Sequence, residues 1–253
     1  PGKYIFKGET RATSKLLPIF PSINPLERYT KTQGGATLKF KDFDVYRDIQ
    51  QPHPFMERHG LAHLVPFKHD DFELWTKSLQ LGLRASYEPA DFIIGGGLDD
   101  VWHNRETDEI HIVDYKSTAG KRNEEGTALN PISLFGTYKE AYKNQMDMYQ
   151  WILKQQGFNV SNIGYFVYVN GDQHFQDGML EEDADAANMK FDVQLISYFV
   201  NVSWIEPTLK KLKECLDSET CPEHAQSGFG YIGDQPCEYL RLFDGMREHG
   251  LMN

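Results

Sequence analysis

The stretch 95–117, GGGLDDVWHNRETDEIHIVDYKS, puts Asp99, Asp100, Asp114 and Lys116 into the most strand-like part of the chain. Side chains alternate along an extended strand. In HIVDYKS, Asp114 and Lys116 therefore share one face, and Val113 and Tyr115 share the other. Asp99 or Asp100 on the preceding strand can lie beside Asp114 if the hairpin register allows. Two such carboxylates repel, and burying either one unpaired is costly. A divalent cation removes both penalties, and an oxygen-rich site of this kind suits magnesium or manganese. Such an ion polarises a phosphoryl oxygen and lowers the pKa of a water, while Lys116 orients that water or steadies developing charge. Gly95, Gly96 and Gly97 leave room for a backbone or a phosphate to come close. A solvated hairpin with ordinary cross-strand pairs is the competing reading of the same residues.

The elements around this stretch read as follows. ATLKFKDFDVYRDI, with Phe40, Phe43 and Ile49 at near-helical intervals, predicts a helix from about residue 35 to 50. Short helices are expected over 54–60, closed by Gly60, and over 69–82. Residues 83–88, 91–104 and 109–117 predict strands, the last two joined by a polar turn at 104–109. Residues 118–133 predict a flexible surface loop. The longest helix is expected from Tyr138 to Gln156, ended by Gly157. In it Gln145 and Tyr149 stand four apart and so share a face; a core tyrosine with a rim glutamine is the plainer reading. Strands at 163–171 and 189–200 follow. Then comes a helix at 203–217, with Ser203 and Glu206 in capping-box spacing, and a last helix near 237–247. The order of elements predicts an α/β (α+β) domain, a mixed central sheet flanked by helices.

The ordered set Gly96-x-x-Asp99, then IVDYK with Asp114 and Lys116, then Gln145-x-x-x-Tyr149, resembles the PD-(D/E)XK nuclease superfamily. The similarity is to its RecB-like branch, which includes the exonucleases of CRISPR adaptation. It covers about residues 35–217 of what is expected to be a single domain, with 1–34 and 218–253 as terminal extensions. The resemblance implies a restriction-endonuclease-like core and a metal-dependent nuclease acting on DNA. It implies Asp99 and Asp114 as ligands of magnesium or manganese, joined by the Tyr115 carbonyl, with Lys116 as the catalytic lysine. Gln145 and Tyr149 become helix residues that order the site and touch the nucleic acid. Asp99 is preferred to Asp100 because the ligand in such proteins follows an apolar residue, here Leu98. An upstream acid is expected from the first helix, with Asp44 the candidate and Asp42 close behind; a solvated helix aspartate is the alternative. Some relatives tie their termini with a four-cysteine iron–sulfur cluster. Here Cys237 has no partner near the amino terminus, so no cluster is expected.

The remaining residues narrow the field. The 253-residue chain is 40% hydrophobic and 25% charged, an ordinary globular balance. A net charge of −11 argues against a broad phosphate-binding surface, though not against a local basic groove or a metal site. KKLK at 210–213 with Lys121, Arg122, Lys139 and Lys143 could form such a basic track. His53, His59, His63 and His69 are expected to be surface or packing residues, since no cysteine completes a zinc set. Cys215, Cys221 and Cys237 contain no CxxC, which points to a reducing cytoplasm. No apolar run is long enough to span a membrane, and no signal peptide is visible. The rival function class is a nuclease-fold protein that binds nucleic acid or a protein partner without cutting.

Overall fold

The computed structural model of the chain describes residues 35–77, 82–172, 185, 190–220 and 245–250. Residues Ile23–Ile205 form one compact unit, and Pro1–Ser22 with Glu206–Asn253 form another. The first unit holds α1 (Gly35–Ile49), α2 (Pro54–Arg58), β1 (Leu64–Pro66) and α3 (Phe72–Trp75). Next come β2 (Leu83–Tyr87), β3 (Phe92–Gly96), β4 (Asp100–Asn104), β5 (Ile110–Thr118), α4 (Thr137–Gln155), β6 (Ile163–Gly171) and β7 (Phe191–Phe199). The second unit contains nearly all of α5 (Ile205–Asp217), where Lys213 pairs with Asp217 one turn on.

Five strands make a mixed sheet in the order β1-β4-β5-β6-β7, and β2 and β3 form a separate antiparallel pair. Among the described strands, only β5 and β6 pair in parallel. Both are long and buried along most of their length, as a central parallel pair covered on both faces must be. A parallel pair needs a crossover, and here it consists of residues 119–136 followed by α4. On one face of the sheet, Phe43 of α1 and Phe55 and Met56 of α2 pack against Trp102, Val113, Tyr115, Tyr165 and Val167. On the other face lies α4. A Cβ on Gly164 of β6 would stand 2.6 Å from Met146 Sδ, so the helix rests on bare backbone there. The fold is therefore an α/β arrangement with helices on both faces of a mixed sheet.

Several local expectations change. The stretch 91–104 is two strands in two sheets, broken at 97–99, because three successive glycines give the ladder little to hold. The Leu64–Pro66 strand was not read from the sequence; three residues are too few to show alternation. The helix expected over 69–82 is a single turn with Thr76 as its cap, and residues 78–81 lie outside the described residues. Among the described side chains of α1, residues 42–49, the buried ones are Phe43 and Arg47, four apart, while Ile49 is exposed. Ser203 does not cap α5: its hydroxyl donates to Asn201 Oδ1 at 2.7 Å. The helix expected near 237–247 falls mostly outside the described residues, which hold one helical turn at 245–248.

Candidate active site

Asp99 sits in the bend between β3 and β4, one residue before the β4–β5 ladder begins with Asp100 opposite Val113. The β5 backbone runs on past that end, and Asp99 Oδ2 accepts the Tyr115 amide N–H at 2.8 Å. That bond brings Asp99 alongside the peptide that links Asp114 to Tyr115. Asp114 and Lys116 are both buried, on the face that α4 covers, and form an ion pair. Lys116 Nζ also donates to Gln145 Oε1 at 3.3 Å and lies 4.4 Å from the centroid of the Tyr142 ring. Gln145 Nε2 in turn donates to the Tyr149 hydroxyl at 2.6 Å. Asp99, Asp114, Lys116, Gln145 and Tyr149, spread over fifty residues of chain, thus meet on one face of the sheet.

Gly96 explains how Tyr149 reaches that face. A Cβ at Gly96 would stand 2.5 Å from Cε1 of the Tyr149 ring. At Gly96 the room is taken by a tyrosine of α4, and at Gly95 by the Leu83 carbonyl of the neighbouring strand, 3.0 Å from where a Cβ would stand. Burial pushes the Tyr149 phenol well above its ordinary pKa, and the Gly97 amide joins Gln145 in bonding its oxygen. The hydroxyl is a fixed neutral strut that orients Gln145 and, through it, Lys116.

Asp100 belongs to the opposite face. It is fully buried, and Arg47 Nη2 of α1 donates to its Oδ1 at 2.7 Å. Tyr115 Oη donates to its Oδ2 at 2.6 Å, and the Val101 amide donates to Oδ1 at 2.7 Å. Burial works against the Arg47 charge, but Asp100 and Asp44 together more than offset this and raise its pKa. Asp44 takes the Arg47 Nε at 3.3 Å and is half-exposed; no contact joins it to Asp99 or Asp114. Among the described residues, no three His, Cys, Asp or Glu side chains gather closely enough to hold a metal ion. The histidines are used locally: His53 Nδ1 accepts the Phe55 amide at 3.0 Å, and His69 stacks on Trp75.

Two groups escaped notice or were misread in the sequence. Residues 119–133 are organised, not loose. Arg122 bridges to Leu129, Asn123 Oδ1 accepts the Thr127 amide at 2.9 Å, and Arg122 pairs with Asp172. The segment crosses the α4 face of the sheet. Gly120 N–H donates to Asn170 Oδ1 at 2.7 Å, and Ile132 N–H donates to Gln194 Oε1 at 2.9 Å. Gln194 pairs with Tyr168, and Tyr168 pairs with Lys116, so this crossing lies level with Lys116. Of the residues expected in a basic track, Lys139 is buried, Lys143 pairs with Glu140, and Arg122 pairs with Asp172.

No protein-family model matches the chain, and neither the characterised proteins nor the solved structures contain a match to it. None of the described helices is long and apolar enough to cross a membrane.

Proposed function

We propose that the protein is a metal-dependent nuclease that hydrolyses DNA phosphodiester bonds, of the PD-(D/E)XK kind and similar to its RecB-like branch. The observation that carries this reading is the convergence just described. The ordered residues of the motif, drawn from a bend, a strand and a helix, meet around Lys116 with Asp99 and Asp114 on either side of one peptide. A binding module has no need of a lysine buried against a carboxylate and braced by a glutamine.

The residues fit a divalent ion. Asp114 Oδ2 is buried and, apart from its ion pair with Lys116, accepts no directed hydrogen bond, which leaves an oxygen able to take a cation. Asp99 and Asp114 would hold magnesium or manganese, with the Tyr115 carbonyl as the third oxygen. When bound, such an ion neutralises charge on the phosphoryl group and favours attack by water. Lys116, fixed by Gln145 and Tyr149, holds its ammonium where it can orient the attacking water and meet charge developing on the phosphate. Water adds to phosphorus, the phosphorus–oxygen ester bond breaks, and the leaving oxygen takes a proton. Asp44 is not proposed as a ligand, because Arg47 holds it. No iron–sulfur cluster is proposed. Work in a reducing cytoplasm, within a repair, recombination or defence complex, suits this reading, and Cys215 is exposed and free.

One observation favours a second reading, a nuclease-like protein that binds without cutting. Asp114 and Lys116 neutralise each other with side chains only 4% and 5% exposed. A digestion assay on single- and double-stranded DNA and RNA with magnesium, manganese or EDTA decides between them. Cleavage should require metal and fall about a hundredfold or more in Lys116→Ala and Asp114→Asn. Cleavage that persists in both variants, or in EDTA, would sink the nuclease reading. Binding without cleavage in the wild type would favour the second.

A further inference from the structure

The end of β4 farther from Asp99 borders a cleft that the proposed reaction does not use. It measures about 280 Å³, and Phe67, His103, Asp108, Gly157 and Phe158 line it. That is just below the roughly 300–1,000 Å³ of small-molecule pockets, so it suits a single side chain. Three features of the cleft favour a cation. The first is its walls. Phe67 and Phe158 are partly exposed and meet edge to face, with centroids 6.4 Å apart. His69 and Trp75 stack on each other at 4.7 Å, and each backs the Phe158 ring at 5.3 Å. The rings are thus held in place, and the face of an aromatic ring attracts positive charge. The second is α4. Gly157 follows the Gln156 C-cap of this 19-residue helix, whose carboxyl end is the negative pole of its dipole. The third is Asp108, whose side chain is 92% exposed and so open to a ligand. Its Oδ1 accepts from His103 Nε2 at 2.8 Å, and its Oδ2 takes no hydrogen bond from the described residues. A neutral imidazole can donate this bond, which then orients the carboxylate without cancelling its charge. Among the described residues, no lysine or arginine lines the cleft. Lys68, beside Phe67, lies 3.9 Å from Asp48, and Lys154 of α4 donates to Asn162 Oδ1 at 3.1 Å.

We propose that this cleft seats the guanidinium of an arginine presented by a partner protein. A guanidinium is planar and always charged, so it lies on the ring faces while its N–H fork meets the Asp108 carboxylate. A lysine ammonium lacks both the plane and the fork. Free arginine brings a carboxylate of its own, which Asp108 and the helix end repel, so an arginine within a chain is the better occupant. The net charge of −11 favours the approach of a basic partner. None of these residues belongs to the set around Lys116, so the seat and the nuclease reading stand or fall separately.

The test is an NMR titration of the full chain at pH 7.5, following the Gly157 and Asn159 amides. The probes are N-acetyl-arginine methylamide, its lysine and citrulline counterparts, and free L-arginine. Capped arginine should give saturable shifts with a Kd of about 1–10 mM. The lysine probe should bind about fivefold more weakly, and citrulline, neutral and of nearly the same shape, should not bind. Asp108 has a left-handed backbone, φ 59°, which asparagine also tolerates, so Asp108→Asn keeps the turn. That variant should weaken capped arginine about fivefold, as the loss of an exposed ion pair. Phe158→Leu should weaken it about threefold through the lost ring face. Absence of saturable shifts with capped arginine overturns the seat. So does citrulline binding as tightly as arginine, or full affinity in Asp108→Asn. Free L-arginine binding about tenfold tighter than the capped form would mark an amino-acid site and overturn the partner. The nuclease reading survives each of these outcomes, since the digestion assay alone decides it.

Discussion

Asp100 was the spare carboxylate of the sequence, and its surroundings give it other work. A fully buried carboxylate facing Arg47 and the Tyr115 hydroxyl is tolerable only while all three stay together. Asp100→Ala should destabilise the fold by about 3–5 kcal/mol, read as a drop in the urea midpoint with unchanged slope. Arg47→Met combined with Asp100→Leu should cost much less, since no charge is left stranded. His111 gives a pH signature. Its Nδ1 bonds the Ile163 carbonyl at 2.9 Å and so carries the proton, while Nε2 is buried without a partner. Burial lowers its pKa below the ordinary value of 6.5. Above pH 6.5 both folded and unfolded chains hold a neutral imidazole, so full stability is present there. As pH falls below 6.5 the unfolded chain takes up a proton first, and stability declines until the folded pKa is reached. Urea midpoints between pH 8 and 5 should decline less in His111→Phe than in the wild type, the remainder coming from His53, whose pKa burial also lowers. At this scale the sequence told which residue types meet, through alternation in β5 and the four-residue step in α4. It left Asp99 and Asp100 unresolved, because alternation says nothing of a residue in a bend.

Between elements, the decisive contact is α4 against the end of β3. Gly96→Ala would drive a methyl into the Tyr149 ring. The ring must shift, and the Gln145–Tyr149–Lys116 relay shifts with it. Overpacking of this kind costs about 1–3 kcal/mol. Cleavage should fall further than thermal stability does, and Tyr149→Leu in the same chain should recover stability but not cleavage. The glycine run was visible in the sequence; its purpose was not, because the contact is with a helix fifty residues away. Residues 119–133 show a similar limit. Their polar, glycine-containing composition reads as a loop, and the order comes from Arg122 meeting Asp172 across a wide gap in sequence. Arg122→Ala should therefore raise hydrogen exchange at the Thr127 and Ala128 amides, which Asn123 now holds, and leave β5 and β6 protected.

For the molecule as a whole, a cation bound only by the folded state must raise its stability. Manganese at about a hundred times its dissociation constant should add about 2.7 kcal/mol, read as a rise in Tm. Asp99→Asn and Asp114→Asn should lose that rise, and Asp44→Asn should keep it. The mixed sheet with helices on both faces was legible because β5, β6 and α4 are long and strongly patterned. The separate β2–β3 pair was not, because a break in one apparent strand is a tertiary event. The neighbouring aspartates 99 and 100 hold Tyr115 from two sides, one at its amide and one at its hydroxyl. This gives the β4–β5 hairpin a parity check. A one-residue slip exchanges the faces of the two aspartates, so the Tyr115 amide and the Tyr115 hydroxyl both lose the carboxylates that accept from them. The mispaired hairpin is thus penalised before the helices dock, and one aspartate of the proposed site, with its neighbour on the other face, also proofreads its assembly.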